Sequence, residues 1–183
     1  MRKVSPPLAV ALALAGLLVV GLVGAAIYVR HTWAAVTTPA ASTAPLTGPV
    51  GLVPVDSPDA STLSCQRLLV ALPATLPNGG STLARRPLAS PAPAGAAVWG
   101  GTATTDPVVL RCGIARPDEL KPSSELLAVD GVNWLQVTGD DAATWYAVDR
   151  QVFVAVTIPS TSSTGALQTV SNVIAKTLPA IPA

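Results

Sequence analysis

The chain has 183 residues, half of them apolar, only 11% charged, and a formal net charge of +1. Beyond residue 31 it carries eight basic and ten acidic side chains, a balance of −2, which excludes the basic footprint of a nucleic-acid binder. Its only histidine, His31, stands ahead of any globular pattern, so histidine-based nucleophile triads, zinc sites and acid/base pairs lack their usual partner.

In chain order, residues 1–7 read as a cytoplasmic N-terminus and 8–30 as a transmembrane helix or uncleaved signal anchor. Leu8 to Val29 is an uninterrupted run without a charge, long enough at about 1.5 Å per residue to cross roughly 30 Å of hydrocarbon. Arg2 and Lys3 precede it, Arg30 follows it and the next basic residue is Arg67, so the positive-inside bias keeps the N-terminus inside. Tyr28 and Trp33 stand where an interfacial aromatic belt is expected. The rival reading is a signal peptide cleaved near Gly24-Ala25-Ala26, which leaves the rest of the chain secreted and its topology unchanged. No twin-arginine pair precedes the run and no cysteine closely follows it, which leaves the general secretory route and no lipid anchor.

Residues 31–56 are dominated by Thr, Pro, Ala, Ser and Val, with no charge before Asp56, and predict an extended tether. An extracytoplasmic domain is expected over 57–183. Ser57 to Asp59 offer N-cap side chains to a helix with the apolar stripe Cys65, Leu68, Leu69 and Leu72, ended by Pro73. Residues 73–96, rich in Pro and Gly, predict a long loop with a short edge strand around Leu83 to Leu88. Val108, Leu110, Cys112 and Ile114 alternate along a strand with one buried face. Asp130-Gly131 signals a two-residue hairpin between Leu126 to Val129 and Val132 to Val137, because both turn positions favour positive φ. Gly139-Asp140-Asp141 and Asp149-Arg150 predict turns around strands Thr144 to Val148 and Val152 to Ile158. Leu167, Val170, Val173, Ile174 and Leu178 then recur at helical spacing up to Pro179. The expected class is α+β: an antiparallel meander sheet with an N-terminal and a C-terminal helix on one face, preceded by one transmembrane helix.

Several of these features occur together: Cys65 on a helix ending Leu72-Pro73, then Ala97-Val98-Trp99-Gly100 and Val109-Leu110-Arg111-Cys112-Gly113. Pro117, Val129-Asp130-Gly131-Val132-Asn133-Trp134 and the Val152 to Pro159 strand follow. In this the chain resembles the domain of unknown function 3515 family, over about residues 53 to 180. The resemblance implies a membrane-anchored or secreted protein of high-GC Gram-positive bacteria. It implies no activity, and no catalytic residue is carried over.

Ser-x-x-Lys, Gly-x-Ser-x-Gly and a phosphate-binding Gly-rich loop are absent. Of Asp118, Glu119, Asp130, Asp140, Asp141 and Asp149 nearly all fall at predicted turns, where Asp is favoured for backbone reasons; paired acids for glycoside hydrolysis, or calcium binding, are the alternatives. Arg85-Arg86 reads as a solvated loop pair, with anionic lipid or polymer as the other possibility. Two functional readings remain. The first is a non-catalytic module binding a cell-envelope protein or polymer; the second is a carboxylate-dependent hydrolase acting on envelope glycans. Neither calls for a cofactor or a metal, and the partners expected are the membrane, through Leu8 to Val29, and an envelope protein or glycan.

Cys65 and Cys112, both on buried stripes of an exported chain, are expected to form a disulfide, with buried free thiols as the alternative. Alternation also proposes a binding face. If Val108, Leu110, Cys112 and Ile114 face the helices, and Val152, Val154, Val156 and Ile158, Leu135 and Val137, and Tyr146 and Val148 do too, then Arg111, Trp134, Trp145 and Phe153 share the outer face. A one-residue slip reverses the faces of a strand.

Overall fold

A computed structural model of the protein describes residues 44–181. The expected membrane span Leu8 to Val29, like His31, lies outside them; no helix among the described residues is long and apolar enough to cross a membrane. Helix α1 covers Leu63–Ala71, and Thr62 caps it, its Oγ1 accepting from Cys65 N at 3.4 Å. The cap therefore falls later than Ser57 to Asp59, whose residues instead make the turn that precedes it. Pro73 follows the C-cap Leu72, where a helix can no longer continue.

Among the described residues, eight strands form one antiparallel sheet: β1 Thr75–Asn78, β2 Ser81–Arg86, β3 Ala96–Trp99, β4 Val108–Ile114, β5 Leu127–Val129, β6 Val132–Thr138, β7 Ala142–Ala147 and β8 Phe153–Pro159. Helix α2, Gly165–Thr177, closes the domain. The strand order β1-β2-β3-β4-β8-β7-β6-β5 makes two meanders. After β4 the chain crosses to the far edge, and β5 to β8 step back inward until β8 pairs with β4. The segment expected as a loop from Pro73 begins with a hairpin, turned by Gly79 and Gly80 at φ 49° and 82°, conformations that favour glycine.

The core lies between one sheet face and the two helices, which also pack on each other. The sheet contributes Trp99, Leu110, Val154 and Val156, and the helices Leu68, Leu167, Val170 and Ile174. The Cys65–Cys112 disulfide joins α1 to β4, with a Cα–Cα distance of 5.5 Å, as the two buried stripes suggested.

Within the segment expected as an extended tether, described residues are tied to the domain. Leu46 N donates to Gly101 O, Val50 bridges Leu88, and Ala115 N donates to Asp56 O. A Pro/Thr-rich composition reads as a tether because it offers no core; it still carries backbone groups that an adjacent edge can pair. This strap continues into the turn at Asp59, whose N–H donates to Gly113 O at 3.0 Å. Gly113 sits at a β-bulge with φ 77°, and a Cβ there would overlap the backbone of Asp59 and Ala60. Gly131 has nearly the same φ, 75°, but open space around it. Gly113→Ala is therefore expected to lower the unfolding free energy by about 3 kcal/mol and Gly131→Ala by about 1 kcal/mol. Denaturant midpoints of the two variants check this; equal losses would show that φ alone matters.

Candidate functional site

The outer sheet face is not the one that alternation proposed. Arg111 and Phe153 lie on it, both half-buried, but Trp134 and Trp145 point to the helices at 0% and 7% exposure. The register sets Trp134 beside Ala147, and Trp145 beside Val156, a core residue. Trp134 Nε1 donates to Ser171 Oγ at 3.0 Å, and that hydroxyl donates to Leu167 O at 2.8 Å, so the indole N–H is satisfied inside the core. Each tryptophan is followed by another apolar residue, Leu135 or Tyr146, so alternation there had no polar partner to settle the face. The larger rings occupy the deeper, helix-covered side. Leu135 and Tyr146 take the outer face instead, and the four proposed residues are not brought together.

Part of that outer face forms an open groove of about 310 Å³. Arg111 of β4, Thr144 and Tyr146 of β7, and Ala155 and Thr157 of β8 make its floor. Val55 and Asp56 of the strap line it, as do residues 115–118, which follow β4, and Ile114, which the bulge at Gly113 turns to this face although alternation set it toward the helices. Arg111 Nη2 donates to Val53 O at 2.7 Å, and its other donors have no partner among the described residues. Burial lowers the pKa of this guanidinium. The Tyr146 phenol is pushed up, first by burial and then by the charge of Glu119, and so remains a proton donor. Thr144 and Thr157 pair across the strands, Oγ1 to Oγ1, at 3.0 Å.

A second cavity, about 330 Å³, lies between the strap, the β1–β2 hairpin and the loop after β3. The basic pair that the sequence singled out is committed to structure there. Arg85 donates to Leu69 O at 3.2 Å near the end of α1 and lies over the Trp99 ring, 5.7 Å from its centroid. Arg86 Nη1 donates to Gly100 O, and its Nε and Nη2 donate to Gly48 O. The pair thus caps a helix and clamps the strap.

Asp118, Glu119, Asp130, Asp140 and Asp141 are exposed in turns and loops, as turn chemistry predicts; Asp130 has φ 47° in the β5–β6 hairpin. Asp149 also falls at its expected turn, between β7 and β8, but it is not exposed. It is buried and ion-paired to Arg150, Oδ2 to Nη1 at 2.9 Å. Asp56 and Asp118 both line the groove, but both are exposed, and neither side chain has a hydrogen-bond partner among the described residues. No group of three or more His, Cys, Asp or Glu able to hold a metal occurs among the described residues.

No curated protein and no solved structure matches the chain. A family model described as "Protein of unknown function (DUF3515)" matches residues 11–183, nearly the full length that carries the sheet, the disulfide and the groove. The chain belongs to the DUF3515 family.

Proposed function

We propose that this protein is a membrane-tethered, extracytoplasmic, non-catalytic module that binds a cell-envelope protein or polymer through the groove on its outer sheet face. On this reading residues 1–7 are cytoplasmic, 8–30 anchor the chain, and the domain works close to the membrane. The disulfide supports an oxidising compartment, since such bonds persist outside the cytoplasm. The observation that carries the binding role is the groove itself. It collects an arginine, a phenol and two threonine hydroxyls on a sheet face that the helices leave uncovered. Core residues at such a place would be apolar; convergent polar groups in a concavity are what a ligand site needs.

The hydrolase reading has one observation in its favour, that Asp56 and Asp118 line the same groove. Against it, neither acid is buried or held by a donor, whereas acid/base catalysis needs groups fixed in position. A photocrosslinking amino acid in place of Thr144, set beside one in place of the exposed Val70 on α1, tests the binding role in intact cells. The expected result is a discrete crosslinked species from position 144 and none from 70. Equal crosslinking from both positions would refute the groove. A reporter active only outside the cytoplasm, fused after Ala183, is expected to be active; an inactive fusion would overturn the orientation.

A further inference from the structure

Resting on the reading of the groove as a ligand site, we infer that it takes a short zwitterionic peptide segment. Arg111 receives a carboxylate there, and Asp56 and Asp118 receive an ammonium close to it. The lone state of Arg111 points this way. A guanidinium has five N–H donors in a planar fork, and the groove-floor arginine uses a single nitrogen, on Val53 O. No carboxylate lies within ion-pair distance, because the sole ion pair among the described residues is Arg150–Asp149. Burial without a counter-charge is unfavourable for the cation, and its lowered pKa has that single cause. A planar anion docking on the fork removes that penalty and gains charge-assisted hydrogen bonds.

The rest of the groove selects which anion. Asp56 and Asp118 stand around Arg111 with no partner, and Glu119 is near enough to raise the Tyr146 phenol. Arg116 also lines the groove and likewise uses one nitrogen, on Leu120 O at 3.1 Å, but it is exposed and keeps its hydration, so the burial penalty that an anion relieves falls on Arg111. A polyanion meets repulsion from these carboxylates, and a neutral chain leaves Arg111 unpaired. A ligand with one anionic and one cationic group satisfies both. Thr144, Thr157 and the protonated Tyr146 phenol can then serve amide carbonyls and N–H groups between the two charges. At about 310 Å³ the groove holds a short segment rather than a long polymer.

The test titrates the full-length protein with the peptide Ala-Ala-Lys, its C-terminal amide, its fully N-acetylated form, inorganic phosphate and polyglutamate, following binding by calorimetry. The free peptide is expected to bind, and blocking either its carboxylate or its amines to weaken it about tenfold or more. Arg111→Lys, which retains a donor for Val53 O, is expected to weaken the free peptide about tenfold and leave the amide unchanged. Asp56→Asn with Asp118→Asn is expected to weaken the free peptide while leaving the acetylated form unchanged. Melting curves of each variant separate lost recognition from lost folding. Tighter binding of phosphate or polyglutamate, improved further by the two Asn substitutions, would overturn the zwitterion and leave the groove standing. Failure of every probe while the position-144 crosslink persists would also overturn the peptide assignment; loss of that crosslink as well would overturn the groove itself.

Discussion

Removing the Cys65–Cys112 disulfide, by reduction or by the double replacement with Ala, is expected to cost about 4 kcal/mol of folding free energy. The two cysteines are 47 residues apart, and in the chain-entropy view opening such a loop restores that much freedom to the unfolded chain. The bond also joins the short helix α1 to β4 at the centre of the core, so its loss separates two layers and not only two side chains. Against a typical net stability of about 5–15 kcal/mol this is a large fraction. Urea denaturation with and without reductant measures it. A midpoint unchanged by reductant, with two alkylatable thiols in the unreduced protein, would refute the bond.

The second large effect is expected at the buried pair of Asp149 and Arg150, exposed by only 7% and 3%. Arg150 reaches Asp149 Oδ2, Asp149 O at 3.0 Å and Gly131 O at 2.7 Å, while Asn133 N donates to Asp149 Oδ2 at 3.0 Å. Ile181 N donates to Asp149 O at 2.9 Å, and Arg150 bridges Ala180. One ion pair therefore ties the β7–β8 connection, the β5–β6 hairpin and the tail after α2. Arg150→Met leaves a buried carboxylate uncompensated, which costs about 3–5 kcal/mol. Asp149→Leu combined with Arg150→Met is expected to cost less than the two single changes added together, because no charge is stranded. Thermal melts of the three variants check both statements; an Arg150→Met loss under about 1 kcal/mol would show that the pair is hydrated and replaceable.

The parts of this fold that could be read in advance share a local cause. Strand β4 follows from the alternation of Val108, Leu110 and Cys112, and the β5–β6 hairpin from Asp130-Gly131, whose φ values of 47° and 75° are the ones that pair of residues favours. The stripe Leu167, Val170 and Ile174 yields α2, and two buried cysteines yield a bond. The parts that could not be read are tertiary. Thr75-Leu76-Pro77-Asn78 carries a proline and no alternation, yet it pairs at the sheet edge with β2, where Pro costs least. The strand order depends on β8 returning to β4, and the strap on pairing with Leu88 and Gly101; neither leaves a local trace. The groove was half legible. Arg111 fell on the correct face because β4 has one polar residue in its alternation. Alternation alone places Tyr146 in the core because Trp145 and Tyr146 are both large and apolar, and only the register with β8 separates them.

That adjacent pair separates the proposed binding surface on the outer face from the core on the tryptophan face. Trp145→Ala and Tyr146→Ala are compared in the full-length protein for unfolding free energy and for crosslinking from position 144. Trp145 lies against the core, so its replacement is expected to cost about 3–5 kcal/mol. Tyr146 lines the groove, so its replacement is expected to cost no more than about 1 kcal/mol while abolishing the crosslink. The reverse pattern, a stable Trp145→Ala protein that no longer captures its partner and a Tyr146→Ala protein that fails to fold, would exchange the roles of the two faces.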